Sequence, residues 1–165
     1  IVHMCLKGLS TMFILYITVL IVMTYKFIDG IAIADVAYEA NGRTLAELMD
    51  SSGLALTNTM VKDIKAVKTS KSVEFQDEAD KADKMLHKFL QEIIFYKDAK
   101  QLLLTKFKIT ISSLATGYRA KIMARGDEID PKKYEMLVDV KAVSWHMFKV
   151  AQERDGWKAF VILDV

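Results

Sequence analysis

The amino-acid sequence predicts an all-α protein, in which an N-terminal transmembrane helix is followed by an antiparallel four-helix-type bundle and a short apolar C-terminal tail. Helix breakers are scarce, since Pro131 is the only proline and there are seven glycines in 165 residues. One long stretch carries no charge, and later segments repeat apolar residues in steps of three and four. We therefore divide the chain into an N-terminal flank (1–7), a transmembrane helix (8–28), a helical bundle (29–156) and an apolar tail (157–165).

The uncharged stretch runs from Gly8 to Tyr25 and reads GLSTMFILYITVLIVMTY. As a helix it would be roughly 27 Å long, which matches the hydrocarbon thickness of a bilayer. Its apolar residues occur on every side, unlike the single stripe of a surface helix. There are two rival interpretations. One is a cleaved signal peptide, because Ala32–Ala34 offers a small-x-small cleavage pattern. The other is a buried helix of a soluble protein, which apolar residues on every side disfavour. Lys7 precedes the stretch and acidic residues follow it, which predicts a single-pass protein with a cytoplasmic N-terminus and an extracytoplasmic bundle.

Capping signals and apolar stripes predict the first two bundle helices. Thr44 and Glu47 fit a capping box, in which the two side chains satisfy free backbone N–H groups at a helix start. The stripe that follows extends to Val67, although Gly53 weakens the helix. The next helix is expected to begin after Ser72, and its apolar residues repeat every 3.5 positions, as in left-handed bundle packing. These residues are Phe75, Ala79, Ala82, Leu86, Phe89, Ile93 and Tyr96.

Two more helices and the tail complete the predicted architecture. A third stripe predicts a helix over 103–122, although residues 106–111 also alternate as in a strand. The longer helical register carries more weight than this short alternation. Asp130 and Pro131 fit the N-cap and first residue of a fourth helix. The apolar, β-branched tail is interpreted as a strand or a docking segment.

Composition and missing motifs exclude several functional classes. The formal net charge is only +2, whereas a nucleic-acid-binding protein usually has a clear basic excess, so no nucleic-acid partner is expected. Cys5 is the only cysteine, which excludes an internal disulfide and a multi-cysteine zinc site. The sequence contains no phosphate loop, dinucleotide fingerprint, nucleophile elbow or His-Glu-x-x-His motif. We therefore predict a protein that is not an enzyme.

A few side chains remain as weak candidates for ligand binding. His87 and His146 could supply the two axial ligands of a haem held between helices, and Asp83 with His87 has the i, i+4 spacing of a metal-binding pair. Partly exposed histidines and a charged helix face explain these residues more simply, so we expect no bound cofactor. Apolar side chains could also line a ligand pocket or an interface. These candidates are Phe89, Tyr96, Trp145, Phe148 and Trp157.

The predicted architecture favours a membrane-anchored helical bundle that acts as a sensory or ligand-binding module. This is an analogy at the level of the fold. A receptor would also need a second spanning helix and an output domain, which this sequence does not show, so the sensory interpretation would require the chain to be a fragment. The alternative is an accessory or assembly subunit of a larger membrane complex, and a weaker alternative is a haem or metal carrier. The expected partners are membrane lipid, a second copy of the chain or other membrane subunits.

Overall fold

Strands, rather than helices, form most of the described part of the chain, which comprises residues 24–29 and 35–165 of a computed structural model. The fold class predicted from the sequence is therefore wrong. The two helices of the described residues are α1 (Leu45–Met60) and α2 (Ala82–Lys100). The strands are β1 (Thr24–Ile28), β2 (Asp35–Gly42), β3 (Lys71–Ala79), β4 (Leu102–Leu114), β5 (Gly117–Glu128), β6 (Ala142–Glu153) and β7 (Gly156–Asp164).

The strands form two antiparallel sheets, and both helices pack against both of them. One sheet has four strands in the order β1-β2-β7-β6, and the other has three in the order β3-β5-β4. The core lies between these layers and contains the fully buried side chains of Tyr38, Leu48, Phe89 and Leu103. Each sheet thus has one face against the helices and two edge strands, which are β1 and β6 in one sheet and β3 and β4 in the other.

Helix α1 begins where the sequence predicts it. The Thr44 hydroxyl oxygen accepts a hydrogen bond from the Glu47 backbone N–H at 3.1 Å, as an N-cap residue does. The Glu47 carboxylate accepts hydrogen bonds from the backbone N–H and the guanidinium of Arg43, so this ion pair also stabilises the start of α1. The helix ends at Met60, earlier than the apolar stripe predicts, because Val61 is extended and forms a bridge with Met136.

The predicted second helix divides into a strand and a helix. The residues up to Ala79 form β3, which pairs with β5, and only the second half of the stripe lies in α2. In β3, Val73 and Phe75 alternate with the exposed Glu74 and Gln76, a period of two that the helical steps conceal.

The predicted third helix is the hairpin of β4 and β5, so that interpretation is wrong. Steps of four, such as Leu103 to Phe107 to Ile111, fit one face of a helix, but four is also an even number and fits one face of a strand. The alternation over 106–111 was the correct signal: Lys106 and Lys108 are exposed, whereas Phe107 and Ile109 pack towards the core.

The predicted fourth helix is also absent from the described residues, although its capping signal is real. The Asp130 carboxylate accepts a hydrogen bond from the Lys132 backbone N–H, and the Asp130 carbonyl accepts from Tyr134, which closes a single turn. The chain then runs into β6, because Leu137 donates to the Met60 carbonyl instead of continuing the turn. The tail forms β7, which is one of the two alternatives predicted for it.

The predicted transmembrane helix is overturned where the structure describes it. Residues 8–23 of that prediction lie outside the described residues, and Thr24–Ile28 form β1, which pairs with β2. Across residues 24–29 and 35–165, no helix is long and apolar enough to span a membrane. The single-pass location, with a cytoplasmic N-terminus and an extracytoplasmic bundle, is therefore wrong.

Candidate functional site

The edge strand β6 is interrupted by a bulge, which we call the aromatic bulge (residues 145–148). Ser144 pairs with Ile162 and Lys149 pairs with Phe160, so four residues of β6 face the single residue Val161 of β7. An edge strand tolerates such an insertion because its outer side has no ladder to maintain. Bulges of this kind redirect side chains, and here the inserted residues are Trp145, His146, Met147 and Phe148.

The aromatic bulge exposes two large apolar side chains side by side. Trp145 is 56% exposed and Met147 is 59% exposed. Met147 has a φ of 55°, a left-handed conformation that costs free energy for any residue other than glycine. The fold therefore maintains strain and solvent-exposed apolar surface at the same place, a combination typical of functional sites.

His87 of α2 supports the aromatic bulge from below. Its imidazole stacks on the indole of Trp145, with ring centroids 3.9 Å apart and planes 10° from parallel. Its Nε2 atom donates a hydrogen bond of 3.0 Å to the carbonyl oxygen of Val143, which ties β6 to the helix. Phe148 closes the cluster, since its ring lies edge-on to both His87 and Trp145 at 5.4 and 5.3 Å. One face of Trp145 is thus held rigidly.

The environment of His87 favours its neutral form. Burial lowers the pKa of the imidazole, and the hydrogen bond to the Val143 carbonyl opposes this effect only in part. Because the carbonyl oxygen can only accept, the proton of the neutral ring lies on Nε2. At neutral pH the support beneath Trp145 is therefore an uncharged ring.

The structure brings three of the sequence-predicted residues together. The rings of His87, Trp145 and Phe148 contact one another, although they were expected to lie between helices. His146 lies in the same bulge, where its backbone N–H donates a hydrogen bond to the Ser144 hydroxyl oxygen, and the described part of the structure shows no contact of its ring with His87. Met147 was missed, since only the bulge makes it prominent, and a bulge in an edge strand leaves no reliable signal in a single sequence.

The other predicted pocket residues lie elsewhere. Phe89 is fully buried between Phe75 and Phe107, and Tyr96 packs on Phe75 with ring centroids 5.5 Å apart. Trp157 lines a separate concavity of about 200 Å³ at the turn between β6 and β7. These three side chains are parts of the core and its margin, whereas the aromatic bulge faces solvent.

The metal and haem ligands suggested by the sequence stay predictions. His87 already uses Nε2 for Val143, and Asp83 lies one helical turn away, where its carboxylate accepts from the Lys84 backbone N–H at 2.7 Å. Within the described residues, no three side chains of His, Cys, Asp or Glu come together as a metal site. Asp35 and Asp164 are direct cross-strand neighbours, so two carboxylates lie close together at the end of the four-stranded sheet.

Comparison with known proteins identifies the family. The model of the archease protein family matches residues 25–165 of this chain, nearly all of the described part. The archease of Pyrococcus abyssi is 29% identical over 133 residues, which cover 80% of this chain and 93% of that protein. The archease of Methanothermobacter thermautotrophicus is 30% identical over 141 residues, which cover 86% and 98% of the two chains.

Solved structures have the same fold. The solution structure of protein 1598 of Methanobacterium thermoautotrophicum superposes with a TM-score of 0.73 at 29% identity, and it covers 86% of this chain and 98% of that one. The crystal structure of an archease from Thermotoga maritima, described as a possible chaperone, gives a TM-score of 0.58 at 18% identity over 81% and 93% of the chains. The second likeness shows the fold alone.

These matches correct the predicted function and partners. The family match starts inside the segment predicted to cross the membrane and continues to the last residue. The predictions of a membrane-anchored sensory module, of an accessory subunit of a membrane complex and of membrane partners are therefore wrong. The prediction of a haem or metal carrier, as a description of the whole protein, is also wrong. The chain belongs to the archease protein family.

Proposed function

We propose that this protein is a chaperone-type accessory protein, which binds another polypeptide through the aromatic bulge and has no catalytic activity of its own. The observation that carries the proposal is the pair of exposed apolar side chains, Trp145 and Met147, held on a rigid support. The Thermotoga maritima relative is described as a possible chaperone, which agrees with this role.

The chemistry of the aromatic bulge suits a protein partner. Trp is the side chain most often found at the energetic centre of protein interfaces, and Met adapts its shape to different apolar partners. Because His87 and Phe148 already order the indole, little side-chain entropy is lost when a partner covers it. A bulge on an edge strand is also accessible from the side, where an extended polypeptide can approach.

The environment of His87 in the same cluster supports the proposal that the protein has no catalytic activity. In the part of the chain that the structure describes, the titratable ring that stacks on the indole is His87, and its Nε2 proton is already donated to a backbone carbonyl. The other ring nitrogen, Nδ1, keeps its lone pair, but the imidazole stacks on Trp145 and has Phe148 edge-on to it, which favours a structural role for the ring.

An aggregation assay tests the proposal. Insulin reduced with dithiothreitol is followed by light scattering, with and without this protein. We expect the protein to suppress scattering at near-stoichiometric amounts, and we expect Trp145→Ser with Met147→Ser to abolish the effect. The matched control is Phe95→Ser with Leu137→Ser, because these two apolar side chains are each 52% exposed and lie outside the aromatic bulge.

The outcomes distinguish binding at the bulge from general stickiness. Loss in the bulge variant together with retention in the control supports the proposal. Equal loss in both variants would assign the effect to exposed apolar surface in general. No suppression by the unmodified protein, or full suppression by the bulge variant, would overturn the proposal.

A further inference from the structure

The three-stranded sheet has one face that no helix covers, and cations dominate this face. Strand alternation directs Lys106 and Lys108 of β4 away from the core, together with Lys121 and Arg125 of β5. We call this surface the open face. It includes Met123, which is 42% exposed, and forms a shallow concavity of about 460 Å³.

Two carboxylates of β3, Glu74 and Glu78, share the open face with its cations, so the positive charge is compensated only in part. Among the described residues, Lys106, Lys108 and Lys121 form no ion pair, and the guanidinium of Arg125 donates only to the Thr69 carbonyl. Arg119 is neutralised by Glu78, with Nε and Oε1 2.6 Å apart. The near-neutral net charge therefore conceals a basic surface.

The arrangement of these cations favours an anionic ligand. Lys106 lies directly opposite Arg125 in the antiparallel register. Like charges in this position repel each other, and an anion placed between them would remove the repulsion. Lys106 and Lys108 are two residues apart on one strand, or about 7 Å, so successive cations can follow a chain of phosphates.

We propose that the open face binds the phosphate backbone of double-stranded RNA without reading its sequence. Repeated, unpaired lysines suit a regular polyanion better than a protein surface, where lysine is depleted. None of the outward-facing residues of β3, β4 and β5 is aromatic, so these strands offer no platform for unstacked bases. Thr110 and Gln76 flank Lys121 and can hydrogen-bond the 2′-hydroxyl groups that distinguish RNA from DNA.

This inference replaces the prediction that nucleic acid is not a partner. That prediction used the net charge of the whole chain, which is +2. Binding depends on the local density of cations instead, and strand alternation concentrates four of them on one side of a sheet. The inference is independent of the aromatic bulge, which lies on the other sheet.

Fluorescence anisotropy tests the inference with a labelled RNA duplex of 20 base pairs, the same sequence as duplex DNA and as single-stranded RNA, and a labelled poly-glutamate peptide. We expect the RNA duplex to bind most tightly, with log K falling by about 3.6 per decade of salt, or about 0.9 for each of the four cations. The variant Lys106→Glu, Lys108→Glu, Lys121→Glu should bind at least about tenfold more weakly, because each lysine contributes close to one released counterion. If it does not fold, the corresponding Gln variant replaces it and should reduce the salt slope to about 1.

The matched control reverses three exposed lysines outside the open face, by Lys132→Glu, Lys141→Glu and Lys149→Glu. It changes the net charge by the same amount, and we expect it to keep most of the affinity. Equal losses in the two variants would show a response to overall charge and overturn the inference. Tighter binding of DNA, of the single strand or of poly-glutamate would also overturn it, the last in favour of an acidic protein partner.

Discussion

Gly53 lies in the middle of α1, where helix propensity would favour replacement by Ala and close packing would oppose it. A Cβ atom at this position would lie 2.9 Å from Cε2 of Phe107, 3.1 Å from Cδ1 of Ile93 and 3.1 Å from Cε1 of Phe89. The rings of Phe107 and Phe89 already contact each other edge-on at 5.4 Å, so neither can move freely. The close approach of α1 to both α2 and β4 therefore explains a glycine within a helix.

The magnitude follows from two opposing terms. Ala is favoured over Gly in a helix by about 1 kcal/mol. Overpacking of a filled core costs about 1–3 kcal/mol, and three contacts near 3 Å place this site in the upper half of that range. We expect Gly53→Ala to lower the free energy of unfolding by about 1–2 kcal/mol.

Urea denaturation followed by circular dichroism measures this change. As a control, Phe107→Leu removes the nearest ring atom, and in that background Gly53→Ala should destabilise the protein less. If Gly53→Ala raises the free energy of unfolding in the unmodified background, the reasoning about close packing around Gly53 is refuted.

Three further predictions follow from buried polar groups. Burial, with a smaller effect of Glu47, raises the pKa of Asp50 to about 6, so this group stabilises the fold only while protonated and the contribution is lost as pH rises through 6. After a discount for partial exposure, Asp50→Asn should raise the free energy of unfolding by about 1 kcal/mol at pH 8 and by nothing near pH 3 in urea titrations. Lys97→Met should cost about 2 kcal/mol in the same assay, because it removes a buried ammonium that donates to the Val140 carbonyl at 2.8 Å. Because burial lowers the pKa of His87, the neutral ring stabilises the fold fully above about pH 6.5, and this contribution is lost as pH falls through the pKa of the folded state. Thermal melts should show this loss of stability in the unmodified protein and a smaller loss in His87→Gln.

Local signals in the sequence predicted local structure well. The Thr44 and Glu47 cap fixes the start of α1, and the apolar pattern after Ala82 lies in α2, because capping and i, i+4 contacts involve only neighbouring residues. The sheets were missed because steps of four satisfy both a helix and a strand. The partners that decide between the two are far apart in sequence, as with Phe75 and Ile122, which pair across β3 and β5.

The candidate site was predicted only as separate residues. Trp145, Phe148 and His87 stood out as aromatic or titratable side chains, but their meeting depends on the register of β6 with β7 and on the packing of α2 beneath them. The open face was hidden for a related reason, since the net charge of a chain carries no information about which side of a sheet each lysine occupies.

Photo-cross-linking at the aromatic bulge tests the central claim most directly, namely that this surface binds another polypeptide. The photoreactive residue p-benzoylphenylalanine replaces Met147 in one protein and Phe95 in another, two positions with exposed fractions of 59% and 52%. With reduced insulin as the partner, we predict a strong cross-link from position 147 and little or none from position 95. Equal cross-linking at both positions, or none from position 147, would contradict the account.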